Sequence, residues 1–289
     1  MDWVTLSLVS ALAQTSRNAA MKSLGHKLDE YINVFGRFFF LLPFAGAAVA
    51  LRGVPAIRPS FYAACAIFAF TQTAATLALS KALLYGKIGV VTSLWKLSII
   101  WLVLLSHFTL GETPSAWGLA GILVAFAGVY FLNVSRARVS WWEPVRHILS
   151  DRGLRYSLIS SFLYAPSVIC FKWAAVSSDA AFGTLGAYTA AMLLMLPIAL
   201  RKSARHFRQV PAHWKGFAGL GFFAFVNSYA QAEAYRLTLT SYVESVKQAE
   251  ILFAVVIGYL FFREREGLGE ALLGGTVILA GIVLLILAG

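Results

Sequence analysis

Charge is scarce in this 289-residue chain: Asp, Glu, Lys and Arg together make up 13% of it, about half the share found in a soluble domain. A surface so poor in charge is not made for water, and with 59% hydrophobic residues much of the chain must face something else. A soluble enzyme, a disulfide scaffold and a disordered tail protein are excluded on composition alone. Cysteine is nearly absent, and Cys65 and Cys170 both fall inside apolar segments, which gives neither a disulfide framework nor a metal site. Histidines are few and scattered (His26, His107, His147, His206, His213). No HExxH, GxSxG, CxxC or nucleotide-binding loop is present, so no cofactor is implied and an integral-membrane enzyme lacks its catalytic set.

What the sequence has in abundance is long apolar runs. They fall at about 3–22, 31–51, 60–82, 88–109, 115–134, 155–175, 182–200, 214–236, 242–262 and 268–288, each near the roughly 20 residues a helix needs to cross hydrocarbon. This predicts an all-α integral membrane protein with ten transmembrane helices. The first run lacks a basic leader and carries Arg17, Asn18 and Lys22 where a signal peptide would have small residues. It is read as a working helix.

Loop charges predict orientation. One side holds Lys27, Lys87, Arg136, Arg138, Arg146, Arg152, Arg155, Arg201, Lys202, Arg205, Arg208, Lys215, Arg263 and Arg265; the other holds Arg52, Arg58 and Arg236. Both termini are therefore expected outside the cytoplasm, with a cell membrane, the bacterial inner membrane, as the location. The net charge of +11 follows from the same asymmetry, so it signals membrane lipid and not nucleic acid. Trp3, Trp141, Trp142 and Trp214 at segment ends suit an interfacial belt.

The two halves can be laid on each other at shifts of 150 to 153 residues. Ser7-Leu8, Ser10 and Lys22 meet Ser157-Leu158, Ser160 and Lys172; Ala82, Val91, Ser93 and Glu112 meet Ala234, Val243, Ser245 and Glu264; Gly121 and Gly128 meet Gly274 and Gly281. Each last pair is spaced by two helical turns, a face on which a neighbouring backbone can approach closely. Five helices per half force the second half to insert upside down, a plan common among secondary transporters. The domains expected are 1–138, a basic cytoplasmic linker at 139–153, and 154–289.

The stretch from Trp101 to Leu132, with Leu110-Gly111-Glu112, Trp117-Gly118-Leu119-Ala120-Gly121 and Ala127-Gly128-Val129, resembles the end of an EamA domain of the drug/metabolite transporter superfamily. Phe262-Arg263-Glu264-Arg265-Glu266, Gly274 and Ala280-Gly281-Ile282-Val283 repeat it more loosely. The resemblance implies two inverted five-helix EamA repeats that carry small metabolites across a membrane.

Ionisable groups inside spanning helices cost about 2.5–3.5 kcal/mol and so tend to face a cavity or a partner. Lys96 lies about 12 Å into helix four, and Lys247 is its counterpart in helix nine, flanked by Glu244 and Glu250 on one face. Two readings stand side by side: an ion-paired stack that neutralises itself, or two symmetric lysines that read substrate charge, with Glu250 as a proton carrier. Gln14 and Arg17 on the polar stripe of helix one, Trp95, Tyr164 beside Pro166, and Gln231 complete the expected substrate site. Glu233 stands three residues before Arg236, the spacing of a local pair near the membrane edge. Trp101 and Tyr242 lie deep enough to line a cavity or to pack, and His107 is expected to be a packing histidine, with a gate or proton role as the alternative.

The function expected is a secondary transporter of a small polar metabolite (an amino acid, an organic anion or a related compound), working by alternating access and driven by a proton or an exchanged solute. A flippase for a lipid or lipid-linked intermediate is the alternative. A monomer and a homodimer joined by the glycine faces are both compatible with the sequence.

Overall fold

The computed structural model describes residues 1–25, 28–85, 91, 94–136, 151–253, 256 and 268–288. Among these, every regular element is helical. In chain order they are α1 (Trp3–Gly25), α2 (Glu30–Phe39), α3 (Leu42–Arg52), α4 (Ser60–Tyr85), α5 (Ser98–Leu110), α6 (Ala116–Arg136), α7 (Arg152–Val176), α8 (Ala180–Phe207), α9 (Trp214–Leu237), α10 (Thr240–Val246) and α11 (Leu268–Ala288), with single 3-10 turns at Pro211–His213 and Lys247–Ala249. The expected linker lies outside the described residues up to position 150. So do Lys27, Lys87, Arg138, Arg146, Arg263, Arg265, His26, His147, Trp141, Trp142, the Ser93 match and the Phe262–Glu266 motif.

By length and composition, four spans are suited to crossing a membrane: Glu30–Arg52, Ser60–Ala82, Arg152–Val176 and Ala180–Phe207. Ser98–Leu110, Ala116–Tyr130 and Leu273–Ala288 are shorter apolar helices. Two of the expected runs are not single helices. The second is divided at Phe40-Leu41 into α2 and α3, where Pro43 in the first turn of α3 lacks an N–H and clashes with a preceding helical turn. The ninth is interrupted at Lys247. The seventh run continues past its expected end through Arg201 and Lys202 to a break at Ser203 (φ −136°, ψ 25°), and a further turn beyond it carries Arg205. Cations there complement the carbonyl end of the helix.

The few acids start helices. All four aspartates sit at or just before a helix N-terminus and accept from the backbone: Asp2 from Thr5 N–H at 2.6 Å, Asp29 from Ile32 N–H at 3.0 Å, Asp151 from Leu154 N–H at 2.9 Å, and Asp179 from Phe182 N–H at 2.7 Å. Each satisfies a donor that the helix cannot. The Thr5 N–H also holds the Asp2 carboxyl below its ordinary value.

The chain divides into two compact units, Met1–Thr73 with Ser167–Leu237, and Ala74–Pro166 with Thr238–Gly289. The boundaries fall inside α4 and at Pro166 inside α7. In the first unit α1 packs along α9, and α8 packs on α2 and α3. Its centre is aromatic: the Tyr188 ring lies 5.8 Å from Phe38, 5.3 Å from Phe68 and 5.9 Å from Phe171, separations at which edge and tilted contacts add to packing. Its hydroxyl accepts from Ser228 Oγ at 2.9 Å.

In the second unit α6 and α11 pack along their length. A methyl group on Gly121 would lie 2.9 Å from the Gly281 carbonyl oxygen, one on Gly281 2.8 Å from that of Gly121, and one on Gly128 3.0 Å from that of Gly274. Gly121 is the repeat counterpart of Gly274, and Gly128 that of Gly281, so each glycine meets the counterpart of the other. The two glycine faces meet each other within the chain. In apolar surroundings such close backbone approach is a main source of helix association.

Candidate functional site

The second unit gathers six of the expected site residues. Lys96 Nζ donates to Glu250 Oε1 at 2.7 Å, and Lys247 Nζ donates to Glu244 Oε1 at 2.9 Å. The four side chains are 10%, 12%, 3% and 11% exposed, respectively, so none of the charges has water as its main partner. Tyr164 OH reaches Glu244 Oε2 at 3.5 Å, the Tyr164 ring stands 5.2 Å from that of Trp95, and the Lys96 ammonium lies 5.1 Å from the Trp95 ring centre. Two positive and two negative charges, closed in by an aromatic pair, form a group with no net charge.

Local backbone explains why the lysines stand out. Residues 96 and 97 form a turn between the helical residues Leu94-Trp95 and α5. Leu97 N–H bonds to the Leu94 carbonyl, Ile99 N–H to that of Lys96, and Ile100 N–H to that of Leu97, each reaching back three residues and not four. Lys247 likewise opens the 3-10 turn after α10. The fourth and ninth apolar runs are thus tightened within one position of each other in the repeat, each at its lysine. Interrupted helices at matching places in two halves are a mark of binding sites in transporters.

The helix bearing Lys247 and Glu244 is held from its other end. No side chain within α10's own segment caps it. Instead, both oxygens of the buried Glu112 accept from Thr240 N–H (3.1 and 3.0 Å), and Oε1 accepts from Thr240 Oγ1 at 2.6 Å. Gly111, with φ of +67°, gives the turn that brings Glu112 there, a conformation that favours glycine. Tyr242 is buried, accepts from Ser115 N–H at 3.2 Å, and occupies the space that a side chain on Gly118 would need. The Leu110-Gly111-Glu112 and Trp117-Gly118 motifs are therefore a clamp on the start of helix nine.

Sequence reasoning missed Gln248. It is 5% exposed, and its Oε1 has no hydrogen-bond partner among the described residues; the same holds for the wholly buried Ser241 Oγ. The Gln248 amide oxygen, a buried acceptor at the interrupted segment with no partner among the described residues, suits a ligand that brings a donor. A polar residue in an apolar run was the available signal, eclipsed by the charged neighbour.

The first unit gathers the others. Arg17 is buried and donates from Nε (3.3 Å) and Nη2 (2.9 Å) to Asn18 Oδ1. With the Asn227 amide oxygen accepting from Arg17 Nη1 at 3.2 Å, its nitrogen serves Ser10 Oγ at 3.0 Å and Gln14 Oε1 at 3.3 Å. The Gln231 amide donates to Tyr235 OH. Arg17 thus points into the helix packing and does not snorkel. Glu233 lies elsewhere in this unit and pairs chiefly with Arg52 at 2.9 Å, with Arg236 at 3.6 Å. His107 is exposed and lies against Phe108, so the expected packing role is not what is found. Among the described residues no cluster of His, Cys, Asp or Glu is arranged to hold a metal.

No curated protein matches this chain. A solved crystal structure of a protein superposes with a TM-score of 0.78 at 16% identity, covering 99% of this chain and 97% of that one, a likeness of fold alone. The model of the EamA-like transporter family matches twice, at residues 1–134 and 151–287, once for each half of the repeat. With its membrane-spanning helices and a family match over nearly its whole length, this chain is a multi-pass membrane protein that belongs to the EamA-like transporter family.

Proposed function

We propose that this chain is a secondary carrier of a small amphoteric metabolite, one bearing both a carboxylate and an ammonium group, and that Lys96, Glu250, Lys247 and Glu244 are its binding groups. The reading takes all ten apolar runs as membrane crossings in two inverted repeats, with both termini outside the cytoplasm. The observation that carries it is the pairing of each repeat-related lysine with a glutamate, 2.7 and 2.9 Å apart, at the interrupted points of helices four and nine.

A purely anionic substrate would strip a lysine from its glutamate and leave a buried carboxylate uncompensated, which costs several kcal/mol. An amphoteric one exchanges partners, carboxylate to lysine and ammonium to glutamate, without adding net charge to an apolar interior. The unsatisfied Gln248 Oε1 offers a further acceptor for the ammonium. Trp95 and Tyr164 face the lysine and glutamate heads and would flank the rest of the molecule. Gln14, Arg17 and Gln231 are assigned a supporting role in holding helices one and eight.

Lys96 belongs to the first repeat and Glu250 to the second, so their ion pair ties the repeats together. A substrate that competes for this pair loosens the tie, which gives binding a differential effect on the conformations that alternate. No nucleotide-binding motif exists, so the driving force is the gradient of the substrate, of an exchanged solute or of protons through Glu250.

Ligand-induced thermal stabilisation of the purified protein tests the assignment. Amphoteric compounds are expected to raise the unfolding temperature, dicarboxylates and amines alone are not, and Lys96→Gln is expected to abolish the effect while the protein stays folded. Stabilisation by anions alone would contradict the reading.

A further inference from the structure

The turn between α8 and α9 lies well away in sequence from the residues assigned to transport and has a chemistry of its own. From position 180 to position 232 the chain has no Asp or Glu, yet it carries Arg201, Lys202, Arg205, Arg208 and Lys215 within fifteen residues. All five are exposed. Trp214 beside them is 57% exposed, with the Lys215 ammonium 5.9 Å from its ring centre.

This basic segment is built into the fold. Its backbone departs from helix at Ser203 (φ −136°, ψ 25°), where Ser203 Oγ donates to Asp29 Oδ2, with His206 Nδ1 at 2.9 Å from the same oxygen. Asp29 also caps α2 through Oδ1. On the inner side Phe207 and Val210 pack against the core of Leu24, Leu28, Ile32, Phe217 and Leu220. Asp29 is thereby engaged, and Glu30 follows it in the first turn of α2. The cations are presented from a fixed backbone, at the end of a helix long and apolar enough to span a bilayer.

We infer that the Arg201–Lys215 turn is a docking surface for an anionic phospholipid, with the guanidinium and ammonium groups on the phosphodiester and the Trp214 ring at the glycerol level. Exposed tryptophan beside clustered Lys and Arg at the end of a spanning helix matches the two things a lipid head region offers, an amphipathic layer and negative charge. A soluble anion would satisfy the cations but would leave the exposed indole without a role. The inference needs only that α8 and α9 lie in a bilayer, and it stands whether or not the substrate proposal does.

Native mass spectrometry of the protein released from mixed micelles tests it, with phosphatidylglycerol and phosphatidylcholine supplied at equal concentration. The wild type is expected to retain phosphatidylglycerol preferentially. The variant Arg201→Gln, Lys202→Gln, Arg205→Gln, Arg208→Gln and Lys215→Gln is expected to lose that preference by about fivefold or more, since the cations that draw an anionic headgroup are gone. Arg201→Lys, Arg205→Lys and Arg208→Lys together are expected to keep it, as is a control with Arg58→Gln and Arg236→Gln. All these side chains are exposed, and the unfolding temperature of each variant checks that it is folded. Equal retention of the two lipids by the wild type, or an undiminished preference in the five-Gln variant, would overturn the inference. So would equal competition by glycerophosphoglycerol, the headgroup without acyl chains, which would make the site one for a soluble anion.

Discussion

Lys96 and Glu250, 154 positions apart in the sequence, hold each other at 2.7 Å with about nine-tenths of each side chain out of solvent. Breaking a buried pair from one side leaves the other charge stranded, at about 3–5 kcal/mol. Lys96→Ala is therefore expected to lower the unfolding temperature in detergent markedly, and Lys96→Gln with Glu250→Gln to recover most of it. Transport is expected to stay lost in both. If the double variant transports normally, the pair is structural.

Much of this pair was legible in the sequence, and its geometry was not. Lys96 and Lys247 announce themselves as cations deep in apolar runs, and the shift between the halves makes them counterparts. Which glutamate each would choose was not readable: the i,i+3 spacing places both Glu244 and Glu250 beside Lys247, and only the tertiary fold hands Glu250 to Lys96. The break at residues 96–97 left no proline or glycine to betray it.

Glu112 caps the helix that carries Lys247. Losing the carboxylate that holds both the N–H and the hydroxyl of Thr240 is expected to cost about 2 kcal/mol or more in Glu112→Ala, read as a lower unfolding temperature. Thr240→Val, which removes the hydroxyl and spares the backbone bonds, is expected to cost about 1 kcal/mol. Equal stability of Glu112→Ala and wild type would refute the capping role.

Gly121 and Gly281 permit α6 and α11 to touch. Gly121→Val adds bulk where even a methyl group lies 2.9 Å from the Gly281 carbonyl, and overpacking of this kind costs about 1–3 kcal/mol. A fall in unfolding temperature without a change in particle size in solution is the expected result. A change from dimer to monomer would instead mean that the glycines serve contact between copies. The sequence showed both glycine faces; that they answer each other within one chain followed from the antiparallel run of counterpart helices.

Glu233, whose spacing from Arg236 predicts a local pair, sits closer to Arg52, whose side chain is 48% exposed. Exposed pairs contribute about 0–1 kcal/mol. Glu233→Gln is accordingly expected to leave the proton dependence of transport unchanged. A lost dependence would move the coupling group from Glu250 to Glu233.

The central claim is that two lysine–glutamate pairs read an amphoteric substrate, and counterflow in proteoliposomes tests it most directly. Vesicles preloaded with pools of anionic, zwitterionic or cationic metabolites are given the labelled members of each pool from outside. The account predicts exchange with zwitterions that disappears in Lys96→Gln and in Lys247→Gln. Exchange confined to anions or to cations, or zwitterion exchange undiminished in both folded lysine variants, would contradict it.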